Sequence, residues 1–255
     1  MSRSAAGIAG GSRRPRWRWL VWVAAVFALA LGAFAGWGLI VPAPMPEALA
    51  ALGSTEAVAV SADPWLTYAP ANGAPRAGLV FYPGARIDPR AYAPAMAALA
   101  AQGYLVVTPR MPLNLAVLAP GRAQEIIAAH ADLPWAIGGH SLGGAMAAQF
   151  ATTGAVRGLV LWGAYPPAGV DLRGAQLRVA VVYGSADGLS TPAEVEAARL
   201  RLPAEATWTL IVGGNHAGYG WYGAQRGDGA ATISSEAQEA QAVAATAALL
   251  ASITE

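Results

Sequence analysis

Residues 135–147 read WAIGGHSLGGAMA, and this stretch decides the fold. An apolar run ends at Gly138, and an alanine-rich, helix-like segment follows Ser141 directly. Such a pattern is typical of a buried strand that turns sharply into a helix. Gly139 and Gly143 suit the turn, because the backbone is strained at the serine and a side chain on either flank would crowd it.

The rest of the chain from Ser54 alternates in the same way. Eight apolar runs predict strands: 57–60, 65–69, 77–82, 104–109, 135–138, 158–162, 179–183 and 207–212. Helix-like segments lie between the later runs or after them: 89–101, 121–131, 142–153, 192–202 and 235–253. Strands that are apolar on both faces and alternate with helices predict an α/β fold with a mostly parallel sheet covered on both sides. The first two runs have no helix between them and should form an antiparallel edge.

The pattern Gly139-x-Ser141-x-Gly143 is that of a nucleophile elbow. A serine hydroxyl needs a base, and an elbow serine is followed along the chain first by an acid and then by the histidine. Of the three histidines only His216 follows Ser141, and it lies in a glycine-rich loop after the last strand. His140 occupies a variable position of the elbow, and His130 falls within a helix-like segment. The alternative is an ordinary serine in a glycine-rich turn.

The acid is expected after the penultimate strand, where Asp187 lies. Aspartate is also common in turns and at helix starts, so Asp187 could instead cap the helix predicted from Pro192. Asp171 and Glu194 are the alternative acids. A tetrahedral intermediate further needs backbone donors for its oxyanion, and the motif predicts the N–H of Leu142 and one from the loop after the third strand. We assign the second donor to Ala85.

The formal net charge of +1 hides two unlike parts. All basic residues are arginines, and five of them precede residue 19, whereas the first acidic residue is Glu47. The segment from Leu20 to Val41 is almost wholly apolar and long enough to span a bilayer as a helix. Its tryptophans resemble interfacial belts, and the arginines favour a cytoplasmic N-terminus. The sequence therefore predicts a single-pass protein of the cell membrane with its body on the extracytoplasmic side.

Four segments follow from this pattern. Residues 1–19 form a basic cytoplasmic tail, 20–41 a transmembrane helix or signal anchor, 42–53 a proline-rich extended linker, and 54–255 the folded domain. Ala33-Phe34-Ala35 could instead supply a signal-peptide cleavage site, in which case the body would be secreted. The chain has no cysteine, so the body cannot use disulfides.

Elbow, acid and histidine together resemble the α/β-hydrolase superfamily, specifically its compact dienelactone-hydrolase-like branch. The resemblance covers about residues 57–253 and is carried by Tyr82-Pro83-Gly84-Ala85, the GHSLGG stretch at 139–144 and Gly213-Gly214-Asn215-His216. It implies an eight-stranded sheet, a triad of Ser141, Asp187 and His216, and no cofactor. Dienelactone hydrolases use a cysteine nucleophile, which this chain lacks, so the resemblance favours a serine esterase-like activity.

Only about 16 residues separate the sixth and seventh predicted strands, too few for a lid domain. We therefore expect an open site that admits polymeric or membrane-borne substrates. The apolar segment 111–118 either lines an acyl pocket or packs as a buried loop. The aromatic residues Tyr219, Trp221 and Tyr222 either wall the site or fill the core, and packing is the commoner role.

The sequence thus predicts a membrane-anchored serine hydrolase that cleaves a carboxylic ester or thioester through an acyl-enzyme. Its partners would be a small or lipid-like ester and the membrane. Low net charge argues against nucleic acid, and neither a Walker loop nor metal-ligand spacing is present. The alternative is a catalytically inactive domain of the same fold that binds a partner at the cell envelope.

Overall fold

The computed structural model describes residues 17–255, so four of the five tail arginines lie outside the described residues. The chain divides into two compact units, residues 1–37 and 38–255. Seven helices are described: α1 Trp17–Leu39, α2 Pro46–Ala50, α3 Ala93–Ala100, α4 Ala123–Ala129, α5 Leu142–Ala151, α6 Pro192–Ala197 and α7 Ser235–Ser252. Within α1, residues 19–39 have a mean hydropathy of 2.1 and are long and apolar enough to cross a membrane.

The second unit is built on one eight-stranded sheet. Its strands are β1 Val58–Ser61, β2 Leu66–Pro70, β3 Gly78–Tyr82, β4 Leu105–Thr108, β5 Trp135–His140, β6 Gly158–Trp162, β7 Arg178–Gly184 and β8 Thr207–Ile211. They lie in the order β1-β2-β4-β3-β5-β6-β7-β8. β2 is antiparallel to both β1 and β4, and all other neighbours are parallel. The predicted α/β fold and its antiparallel edge are therefore confirmed.

Each face of the sheet carries its own hydrophobic core. Alternate side chains of a strand point to opposite faces, so Leu79 and Phe81 of β3 pack with α3 and α7, while Val80 lies in the other core with α4 and α5. Side chains on both faces are fully buried in the central strands. Residues 163–177, between β6 and β7, contain no helix, in agreement with the expected absence of a lid domain.

The proline-rich segment differs from the predicted extended linker. Pro46 begins the short helix α2, where a proline is tolerated because the first helical N–H has no partner anyway. Ala48 is fully buried, and Leu52, one turn further on, packs against the core on the α3 face. This apolar pair attaches the segment to the body, and the compact unit begins at Gly38 instead of near Ser54.

Three glycines let α5 approach the sheet at the strand-to-helix turn. A Cβ at Gly143 would lie 2.2 Å from the Tyr82 carbonyl oxygen and 2.3 Å from that of Pro83. One at Gly139 would lie 2.5 Å from the carbonyl carbon of Gly143, and one at Gly144 would lie 2.5 Å from the Ala164 Cβ. These positions exclude any side chain, since the obstructing atoms are mostly backbone.

We expect Gly143→Ala to lower the free energy of unfolding by about 3 kcal/mol, because helix and strand must separate to accept the methyl group. Urea unfolding of the detergent-solubilised chain measures this. Gly169→Ala is the matched control, since a Cβ there meets nothing within 4 Å. Equal unfolding midpoints for the two variants would contradict the steric argument.

Glu239 on α7 is a partly buried carboxyl group. Its Oε2 accepts a hydrogen bond of 2.9 Å from Trp221 Nε1. Burial raises the pKa of Glu239 to about 7, and the neighbouring Glu236 carboxylate adds to the rise. The folded state therefore holds this proton more tightly than the unfolded chain, whose glutamate pKa is about 4.5. This contribution to stability is present below pH 4.5 and is lost as the pH rises through about 7.

Glu239→Gln should therefore stabilise the protein at pH 8 and leave its stability at pH 4 unchanged. The glutamine oxygen still accepts from Trp221 but carries no charge. We expect a gain of about 1 kcal/mol at pH 8, well below the full linkage value because the side chain is partly exposed. Urea midpoints at the two pH values measure it, with the exposed Glu205→Gln as control; an equal gain at both pH values would contradict the titration.

Candidate active site

Ser141 lies on the turn between β5 and α5. Its φ of 53° and ψ of −126° place it in the left-handed half of the backbone map, which residues other than glycine seldom occupy. Its N–H donates a 3.0 Å hydrogen bond to the Trp162 carbonyl of β6. The strained backbone is therefore fixed from the neighbouring strand, and the side chain is partly exposed at the carboxyl edge of the sheet.

Asp187 and His216 form a buried pair at the same edge. Asp187 follows β7 and His216 follows β8, and both side chains are fully buried. Asp187 Oδ2 lies 2.8 Å from His216 Nδ1. The other carboxylate oxygen, Oδ1, accepts from the N–H groups of Leu189 at 2.9 Å and Ser190 at 2.7 Å. The carboxylate is thereby fixed in orientation, and the pair places the imidazole proton on Nδ1 and leaves Nε2 as an acceptor.

Gly163 brings this pair next to the elbow. It follows Trp162, which holds Ser141, and a Cβ on it would lie 3.0 Å from Asp187 Oδ2 and 3.3 Å from His216 Nδ1. His216 Nε2 is buried, and among the described residues it has no hydrogen-bond partner. A Ser141–His216 hydrogen bond is thus not formed, and such catalytic bonds are often long before substrate binds.

Two backbone N–H groups near Ser141 are available as donors, one in the loop after β3 and one at the start of α5. The N–H of Gly84 is occupied, because it donates to the Tyr92 hydroxyl at 3.1 Å. The N–H of Ala85 donates to no other group in the described part of the chain. Leu142 is the first residue of α5, so its N–H has no partner within the helix. These are the two donors that the sequence assigned to an oxyanion.

His140 packs beside His216 and is hydrogen-bonded to Tyr92. The two ring centres are 4.5 Å apart. His140 Nδ1 lies 2.9 Å from the Tyr92 hydroxyl, which in turn accepts from Gly84. Burial lowers the pKa of His140 well below its usual value, and the neighbouring His216 lowers it further. A neutral His140 therefore lies between His216 and the tyrosine that binds the loop carrying Ala85.

Asp228, which no sequence motif indicates, connects the loop that carries His216 with the loop that carries Asp187. Its Oδ1 accepts from the N–H of His216 at 3.0 Å and of Gly188 at 3.2 Å, and its Oδ2 accepts from Ala217 at 2.8 Å. One carboxylate thus fixes the histidine loop against the acid loop. The only local signal is its place between Gly227 and Gly229, which reads as an ordinary turn.

The two alternative acids, Asp171 and Glu194, are bound to other residues. Asp171 is exposed and forms an ion pair with Arg173. Glu194 closes the capping box of α6 with Thr191. Neither is hydrogen-bonded to a histidine in residues 17–255, so Asp187 alone among the three candidates meets His216.

A cavity of about 170 Å³ opens beside the Ala85 loop. Its lining includes Pro42, Ala85, Ile87 and Tyr222. The cleft of about 610 Å³ contains Arg157 and Arg178, which precede or begin strands and so lie at the opposite edge of the sheet. We take the cavity beside Ala85 as the candidate binding space because, of the predicted site residues, Ala85 lines it.

In each of the two segments 111–118 and 219–222, some apolar side chains pack in the core and others are exposed or line the cavity. In the 111–118 segment, Met111, Leu115 and Ala116 are buried, whereas Val117 and Leu118 are about half exposed. Tyr219 stacks on Trp162 in the core, and Tyr222 both belongs to that core and lines the cavity. No group of three or more His, Asp or Glu side chains within residues 17–255 is arranged to hold a metal ion.

Comparison with known structures finds the same fold. Protein TT1662 from Thermus thermophilus has 15% identity and a TM-score of 0.55, over 78% of this chain and 98% of that one. The esterase domain of a Rhodothermus marinus protein has 14% identity and a TM-score of 0.54, over 71% and 91%. A putative dienelactone hydrolase from Klebsiella pneumoniae has 15% identity and a TM-score of 0.54, over 73% and 91%.

No curated protein matches the chain. The model of the alpha/beta hydrolase family, by contrast, matches residues 78–240, which include the elbow, the buried acid–histidine pair and the loop after β3. Because this match extends over more than half of the sequence, the chain belongs to the alpha/beta hydrolase family.

Proposed function

We propose that the chain is a membrane-anchored serine hydrolase that cleaves a carboxylic ester or thioester. The observation that carries the proposal is the buried 2.8 Å contact between Asp187 and His216, next to a serine on a strained turn. A buried carboxylate oriented by two N–H groups and aimed at a histidine has a clear use in activating a nucleophile.

In the first half of the reaction, His216 Nε2 takes the proton of Ser141 as Oγ attacks the acyl carbon. The carbonyl oxygen becomes an oxyanion that the N–H groups of Leu142 and Ala85 stabilise. His216 then gives its proton to the leaving alcohol or thiol, and the acyl group stays on Ser141. Asp187 keeps the imidazole in the required tautomer and stabilises its protonated form.

In the second half, water replaces the leaving group. His216 takes a proton from the water as its oxygen attacks the acyl carbon, the same two N–H groups hold the oxyanion, and the acid leaves as Ser141 regains its proton. Residues 163–177 contain no helix, so this connection places no lid domain over the proposed site. No step requires a cofactor.

The anchor is the second part of the proposal. The apolar helix at residues 19–39 supports it, and the arginine-rich tail before it favours an extracytoplasmic body. Cleavage after residue 35 would instead release the body. An immunoblot of the membrane and soluble fractions, with a protease-accessibility assay on intact cells, distinguishes these outcomes.

Reaction with a fluorophosphonate probe tests the nucleophile. We expect the wild-type chain to be labelled at Ser141 and Ser141→Ala to lose all labelling, because the probe needs an activated serine. Ser252→Ala, which changes a serine at the end of α7, is the control and should label normally. An unlabelled wild-type chain that unfolds cooperatively would favour the inactive binding domain.

The orienting acid is tested by Asp187→Asn, which keeps the size of the side chain but favours the wrong imidazole tautomer. We expect kcat for a p-nitrophenyl ester to fall about 10⁴-fold. Asp171→Asn is the matched comparison, because Asp171 is the alternative acid and is paired with Arg173 on the surface. If Asp171→Asn lost activity and Asp187→Asn kept it, the acid would be reassigned.

A further inference from the structure

The end of the apolar helix and the residue that follows it are bonded to the loops of the candidate site. The Gly38 carbonyl accepts from Asn114 Nδ2 at 3.0 Å, and the Ile40 carbonyl accepts from Arg86 Nη2 at 2.7 Å. The backbone N–H of Arg86 in turn donates to the Asn114 carbonyl at 2.8 Å. Residues 38–40 therefore lie against the loop that carries the assigned oxyanion donor Ala85.

The same segment continues along the candidate cavity. Pro42 lines the cavity together with Ala85 and Tyr222. Met45 then donates its N–H to the Trp221 carbonyl at 2.8 Å, on the side of the histidine loop. The chain thus passes from one site loop to the other and supplies part of the cavity wall.

This path fixes how far the cavity lies from the end of the apolar helix. Leu39 is the last residue of that helix, and three residues of extended chain reach at most about 11 Å. Pro42, which lines the cavity, therefore lies within about 11 Å of the last residue of the helix.

The two segments that meet at the hydrogen bond between Gly38 and Asn114 carry exposed apolar side chains, here called the apolar rim. It consists of four large, solvent-exposed side chains: Leu39, Ile40, Val117 and Leu118, with exposed fractions of 64, 72, 50 and 47%. Val117 and Leu118 follow Asn114 in the same loop, and their short helical turn packs on α5. Clustered exposed apolar side chains mark a surface that is covered in use.

We propose that the apolar rim lies in the interfacial layer of the bilayer and that the site takes acyl esters carried in that leaflet. The inference rests on the proposed function for both the anchor and the serine chemistry. The bilayer is the occupant that the structure favours, because the rim is continuous along the chain with the apolar helix. A lipid-borne ester could enter the cavity between the rim and Tyr222 without leaving the membrane surface.

The absence of cysteine makes the position of the rim measurable. Leu118→Cys and Leu200→Cys, each in the full-length chain, can be labelled with nitrobenzoxadiazole and reconstituted into phosphatidylcholine–phosphatidylglycerol vesicles. Leu200 is the matched control, since it is 78% exposed but precedes β8, at the opposite edge of the sheet. We expect a blue-shifted emission, quenched by doxyl-labelled lipids, at position 118 and a water-like emission at position 200.

Equal, water-like emission at both positions would overturn the inference. A blue shift at 118 without quenching by doxyl lipids would also overturn it, because protein would then cover the rim, either a second copy or a partner. Two further measurements on the same vesicles isolate the proposed function. Sedimentation with the vesicles reports the anchor, and fluorophosphonate labelling of Ser141 reports the chemistry, so either can fail separately from the position of the rim.

Turnover tests the substrate class. A fluorogenic acyl ester dissolved in the vesicles is compared with a water-soluble p-nitrophenyl ester, for Leu118→Gln and the control Leu200→Gln. Since a polar residue weakens contact with the bilayer, we expect Leu118→Gln to lower the ratio of lipid-ester to soluble-ester turnover about tenfold. The control should keep the wild-type ratio. An unchanged ratio in Leu118→Gln would contradict lipid-borne delivery.

Discussion

The close approach of α5 to β3 and β5 is the constraint on which the site depends. The Tyr82 and Pro83 carbonyls lie so near Gly143 that no side chain fits between them. That contact joins the elbow to the loop after β3 and therefore fixes the distance between Ser141 and the Ala85 N–H. Without it, Ser141 and the loop that carries the predicted donor Ala85 would belong to elements free to separate.

Asp187 and His216 depend on a second set of contacts at the same edge of the sheet. Parallel strands end together, so the loops after β7 and β8 are neighbours before any side chain is placed. Asp228 then bonds to both loops, and Gly163 leaves room for the Asp187–His216 pair beside the elbow. Because the pair is buried, its hydrogen bond is not weakened by water.

The parts of the molecule that sequence could predict are those set by local pattern. The eight strands and the elbow follow from apolar runs and glycine spacing, and the family match agrees with them. The contacts of Tyr92 with Gly84 and His140, and those of Asp228, join residues from separate loops, which no local pattern reveals. Three prolines in 42–46 favoured an extended linker, and tertiary burial of Ala48 decided for a helix instead.

Residues 38–46 connect the apolar helix with the candidate binding space. An unattached linker would leave the candidate cavity without this part of its wall. Here the carbonyls of Gly38 and Ile40 are held by the site loops, and Pro42 lines the cavity. The segment that follows the apolar helix thus forms part of the wall of the candidate binding space, so a change in this segment would also change that wall.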